Sequence, residues 1–151
     1  MTQDNATELP DESSPPTWFW GVSIIALLWF VMDVAAFLMR VLMTEDALAV
    51  MPEGQQQLYR SMPTWVNVVF AGEVFGGALG CVGLLLRKKW ALPFLIISIL
   101  GVLSQTFYVW FLSEAISIMG TPAIVMPLVA ILIGSGLIAL AKSSILKGWL
   151  R

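Results

Sequence analysis

Hydrophobic residues run through this chain in four long stretches that charges scarcely interrupt. None falls between 13 and 32, 74 and 86, 90 and 113, or 115 and 141. A helix needs about 20 mostly apolar residues to cross the hydrocarbon of a bilayer, and four spans fit, over 18–43, 65–86, 91–113 and 124–142. Strand-like alternation is nowhere visible, and backbone in lipid must satisfy its own hydrogen bonds, so spans of this length are helices. The expected fold class is all-α: an integral membrane four-transmembrane-helix bundle with a short helical outer loop between the first two spans.

That loop covers 44–64. Thr44-Glu45-Asp46 reads as a helix start with acids in its first turn, Pro52-Glu53 as a second start, and Pro63 as a stop. Leu58, Tyr59 and Met62 give it apolar contacts, so it is expected to lie on the membrane surface or to lid the bundle. Basic residues set the orientation. Arg87, Lys88 and Lys89 fill the turn between the second and third spans, and Lys142, Lys147 and Arg151 follow the fourth, so six of the eight Lys and Arg residues share one side. The positive-inside rule makes that side cytoplasmic, with both termini inside. Residues 1–17 then form a flexible acidic cytoplasmic lead-in, 18–142 the membrane domain and 143–151 a basic cytoplasmic tail. Trp18, Trp20, Trp90 and Trp149 fall at the inner boundary, and Trp65 and Trp110 at the outer one, the levels that indoles favour.

Composition narrows the function classes. The chain is 58% hydrophobic and 12% charged, against about 25% charged in soluble domains. It has no histidine and one cysteine, Cys81, so no metal and no cofactor is expected. A net charge of −2 without an extended basic patch offers nucleic acid no electrostatic footprint. No nucleophile–base pair or phosphate loop marks a substrate, so enzymatic activity is not expected.

The informative residues are polar groups inside the spans, which are costly there and usually face the bundle interior. Asp33 in the first span and Glu73 in the second sit at similar depths, because the two spans are antiparallel neighbours. In the third span Ser98, Gly101, Gln105, Tyr108 and Leu112 follow helical steps and form one stripe. The fourth offers Gly134, Ser135 and Gly136 near the same level. Asp33, Glu73, Gln105, Tyr108, Trp29, Arg40 and Ser135 are therefore the candidates for binding a proton or a small solute. Arg40 could lean toward Asp33 or snorkel outward. Gly72, Gly76, Gly77 and Gly80 are candidates for close helix packing, with Glu73 on their face. Pro93 and Pro127 are both expected in the first turns of their helices.

Several stretches carry a family resemblance. Pro16-Thr17-Trp18-Phe19-Trp20, Ala26-Leu27-Leu28-Trp29, Leu58-Tyr59, Pro63-Thr64-Trp65, Phe75-Gly76-Gly77 and the segment from Gly80 to Ala91 resemble small bacterial four-helix inner-membrane proteins labelled as sugar transporters. Gln105, Tyr108, Met126-Pro127-Leu128 and Lys147-Gly148-Trp149-Leu150 extend the similarity. The resemblance implies a bacterial inner (plasma) membrane and the transport of a small solute such as a sugar. The expected partners are the lipid bilayer, a small-molecule solute, and a second copy or another membrane protein. The competing reading is a non-enzymatic accessory protein that packs against a partner through its glycine-rich second helix.

Overall fold

The computed structural model describes residues 14–151, which are helical with no strand among them. Four helices are long and apolar enough to cross a membrane. They are α1 (Thr17–Val41), α4 (Thr64–Leu85), α5 (Ala91–Phe107, carried on to Leu112 by a π-helical turn) and α7 (Pro122–Leu146). The chain is thus a multi-pass membrane protein built as a four-helix bundle. The expected lead-in falls mostly outside the described residues; its last part, Pro16, caps α1, with the Phe19 N–H donating to the Pro16 carbonyl at 3.0 Å.

The connection after α1 folds as α2 (Glu45–Ala49) and α3 (Glu53–Ser61). Thr44 caps α2 by accepting from the Ala47 N–H at 3.3 Å. Gln56 ties the corner between the two by donating to the Met51 carbonyl at 2.8 Å. A further short helix, α6 (Ala115–Met119), lies before α7, where no element was expected. Its Ile118 packs at the bare Cα of Gly54, so α3 and α6 meet over the same end of the bundle.

The opposite end carries the start of α1, the C-terminal tail and six of the basic residues. α4 and α7 each finish with a residue in the left-handed region, Arg87 (φ 56°) and Gly148 (φ 73°). The N–H groups that follow bond back to the Gly83 and Ser144 carbonyls, both at 2.8 Å, the helix-ending geometry that satisfies orphan carbonyls. Arg87 lacks glycine's freedom, but its Nε donates to the Trp149 carbonyl at 2.9 Å and its own carbonyl accepts from the Arg151 N–H at 2.7 Å. These bonds clamp the C-terminal tail to the α4–α5 turn. Trp149 is buried there against Phe19.

Packing runs in the order α1, α4, α5, α7, and each seam has a glycine whose bare Cα makes room for the neighbouring helix. On α4, Val69, Glu73, Gly76, Gly80 and Gly83 recur at alternating four- and three-residue steps, the spacing of helices crossing at a shallow angle. A methyl on Gly76 would stand 3.0 Å from the Phe94 carbonyl, and one on Gly80 would stand 2.6 Å from Leu95. Gly77 lies round the helix and receives the Phe30 ring of α1, while Gly134 of α7 takes Ile99. Gly72, expected on this face, has nothing within 4 Å of where a Cβ would stand. It precedes Glu73 by one residue, and the contact stripe passes through Glu73.

Pro93 sits in the first turn of α5 as expected. Pro127 does not sit in the first turn of α7, because the helix opens at Pro122 and places Pro127 in its interior.

The glycine contrast gives a direct test. Gly76→Ala should destabilise the protein by about 1–3 kcal/mol, since the obstructing Phe94 carbonyl is backbone and cannot step aside. Gly72→Ala should be neutral or gain up to about 1 kcal/mol of helix propensity. Unfolding in mixed micelles with rising dodecyl sulfate measures both.

Candidate functional site

Glu73 lies on the contact stripe of α4, so its side chain enters the α4–α5 seam and is 7% exposed. Gly101 makes this possible: a methyl there would stand 2.8 Å from the Glu73 Cβ. One turn beyond Gly101, Gln105 donates its amide N–H to the Glu73 carboxylate. From α1, Asp33 comes within electrostatic reach of Glu73. Trp29, one turn earlier on α1, brings its side chain within hydrogen-bonding reach of Asp33. Phe70 and Thr106 line the same cavity, of ≈ 170 Å³, room for several waters.

α7 closes this pocket with Met126, Pro127 and Ala130. Ser135, expected to supply α7's polar group, is exposed instead, and so is Gly136. Of that trio Gly134 turns inward, toward Ile99 of α5 rather than toward the acids. Each step along a helix turns the side chain by about 100°, so adjacent residues cannot share one buried face. The α5 stripe also departs from expectation at its end. Ser98, Gly101 and Tyr108 are buried and Gln105 is half-buried, but Leu112 is 60% exposed. Beyond Tyr108 the helix widens into a π turn, and the inward position passes to Ser113, five residues on, the π-helical spacing.

A larger cavity of ≈ 380 Å³ adjoins the first toward the α3–α6 end. Val109, Met126 and Pro127 line both. Tyr108 faces the larger one and packs edge-on against Trp65, with ring centres 5.7 Å apart. Arg40 lines it too. Its guanidinium neither pairs with Asp33 nor runs out to the surface. It sits over the Phe70 ring at 5.2 Å and the Tyr59 ring at 5.6 Å, an attraction worth about 0.5–2 kcal/mol depending on desolvation. The ion pair among the described residues is elsewhere, between Arg60 and Glu45 at 2.9 Å on the surface.

A scan against family models, a search of curated proteins and a search of solved structures each find no match to this chain. The chemistry therefore rests on the geometry. Among the described residues no three His, Cys, Asp or Glu side chains gather where they could hold a metal ion. Two carboxyls, an amide, a hydroxyl and an indole do gather in one small pocket. Such a set can exchange hydrogen bonds with a hydroxylated solute, whose groups both donate and accept, and can offer it an aromatic face.

Phe70, Thr106, Val109 and Ser113 were not singled out in the sequence. A signal existed for Phe70 alone, which stands one turn before Glu73 on the same helix face. Thr106 gave none, because its hydroxyl donates to its own helix at the Val102 carbonyl, 2.7 Å away. Pro127 explains another missed contact. Proline cannot donate to the carbonyl four residues back, so Ala123 lacks its usual helical partner. Trp110 supplies one, its indole N–H lying 3.3 Å from the Ala123 oxygen.

Two double-mutant cycles follow. For Glu73 and Gln105, the coupling between Glu73→Leu and Gln105→Leu should be favourable, about 0.6–1.7 kcal/mol, the range for hydrogen bonds between membrane helices. Trp110→Phe should cost about 0.5–1.5 kcal/mol in the native background. In the Pro127→Ala background the same change should cost measurably less, because the backbone then satisfies Ala123. Micellar unfolding reads both cycles.

Proposed function

We propose that this protein carries a small hydroxylated solute, a sugar or polyol, through a bacterial inner membrane and does no covalent chemistry on it. The solute would be held by Glu73, Gln105 and Asp33 and would stack on Trp29. The supporting observation is that the larger cavity and the acidic pocket share the walls Val109, Met126 and Pro127. Polar groups in the membrane interior therefore adjoin a chamber at the bundle's end. By the positive-inside rule the clamped basic end lies in the cytoplasm, so this chamber faces outward. The family resemblance points to the same class of cargo.

The accessory-protein reading required a free glycine face on α4. Gly76 and Gly80 are covered by α5, and Gly77 by Phe30 of α1, so that face is occupied within the chain. A partner would have to dock elsewhere.

Proteoliposomes should take up a radiolabelled polyol or hexose faster than protein-free vesicles. Glu73→Leu should lower uptake by at least about tenfold, as expected when a buried hydrogen bond to the solute is lost and its partner left unsatisfied. Ser135→Ala, on the lipid-facing side of α7, should leave uptake unchanged. Equal uptake by the native protein and Glu73→Leu would remove the acidic pocket from the solute's path.

A further inference from the structure

We propose that the chamber under α3 and α6 is a binding site for a small amphipathic organic anion, a carboxylate on an apolar body, with Arg40 as its charge partner. This goes beyond the acidic pocket and requires no transport, since binding alone would establish it.

The argument starts from Arg40. A guanidinium has five N–H donors in a planar fork and stays charged. Here it lies against the Tyr59 and Phe70 rings, contacts that leave N–H donors of the fork for hydrogen bonding. Among the described residues it makes no ion pair, and it lines a cavity. The other charges nearby are engaged or point elsewhere. Glu45 pairs with Arg60, Glu114 borders a separate hollow, and Asp33 lies two turns down α1 in the smaller cavity. An unpaired charge in a partly buried setting is costly. A carboxylate placed edge-on would supply two parallel hydrogen bonds and neutralise it.

The rest of the chamber specifies the ligand's body. Met51, Met62, Met119 and Met126 line it, together with Leu58 and Pro122. Methionine is flexible and polarisable, and surfaces rich in it adapt to apolar bodies of different shapes. At ≈ 380 Å³ the volume stands at the small end of ligand pockets, roughly 300–1,000 Å³. One cation in a mostly apolar chamber, whose other polar groups are Gln55, Ser113, Tyr59 and Tyr108, matches a monoanion with an apolar body. Inorganic phosphate would leave the methionine wall unfilled.

The phosphate of an anionic lipid carries the same charge chemistry, so the experiment separates the two sources. Native protein in nanodiscs of zwitterionic phosphatidylcholine is titrated calorimetrically with phenylacetate and with phenylacetamide, its neutral counterpart. Saturable binding of phenylacetate is expected, with the amide at least about tenfold weaker. Arg40→Lys, which keeps the charge if not the fork, should retain a preference for the acid. Arg40→Gln should abolish it while leaving amide binding intact, and that retained amide binding reports an intact chamber. Met119→Trp, which fills the chamber, should weaken both ligands. Absence of phenylacetate binding, equal affinity for acid and amide, or an acid preference that survives Arg40→Gln would each overturn the proposal. So would displacement of phenylacetate by added phosphatidylglycerol in the native protein, which would make a lipid phosphate the partner of Arg40.

Discussion

A carboxyl group held inside hydrocarbon needs a partner on a neighbouring helix, and the meeting of Glu73 with Gln105 is the constraint around which this bundle is arranged. The bond can form because α4 and α5 come close at Gly76, Gly80 and Gly101. Larger side chains at those positions would push the helices apart and leave the carboxylate facing lipid. Close packing and polar satisfaction therefore support one another here. Dispersion contact along the glycine stripe holds the seam, and the seam places the amide where the acid requires it.

The same region gathers two departures from regular helix among the described residues. The π turn at Tyr108–Leu112 and Pro127 inside α7 both border the cavities. A π turn rotates the following side chains out of register, and an interior proline frees a carbonyl. Both would be costly against lipid, where no water can satisfy the backbone. They are tolerated because Trp110 takes up the Ala123 oxygen and because Tyr108 and Val109 of the widened turn face protein and cavity. α3 and α6 wall the larger hollow, whereas the smaller is lined by the four spans alone.

The bundle is uneven in its packing. α4 is the most buried of the four spans, and α1 and α7 are the least. Large apolar side chains such as Ile25, Met32 and Leu132 point outward from them, as lipid-facing positions do. Toward the basic end the flanks of α1 and α7 are parted by an apolar groove lined by Ile25, Trp29 and Leu140. No glycine draws this seam shut, and Gly136, which borders it, has nothing within 4 Å of where a Cβ would stand.

The spans, the helical class and the gathering of basic residues at one end could be read from the sequence. Crossing a bilayer depends on the summed transfer free energy of a long apolar run, a property of composition and length that no neighbour changes. The helix starts at Thr44 and Pro52 were equally legible, since caps and prolines act within a turn of their own position. Which polar residues would meet was not legible to the same depth. Glu73 and Gln105 do meet, but Ser135, Leu112 and Gly72 fall away from the shared interior, and Arg40 chooses aromatic rings over Asp33. Those outcomes turn on the rotation of each helix about its axis, where one residue is about 100°. That rotation is set by the shape of the opposing helix, by the π turn and by the interior proline, so only the packed structure decided it.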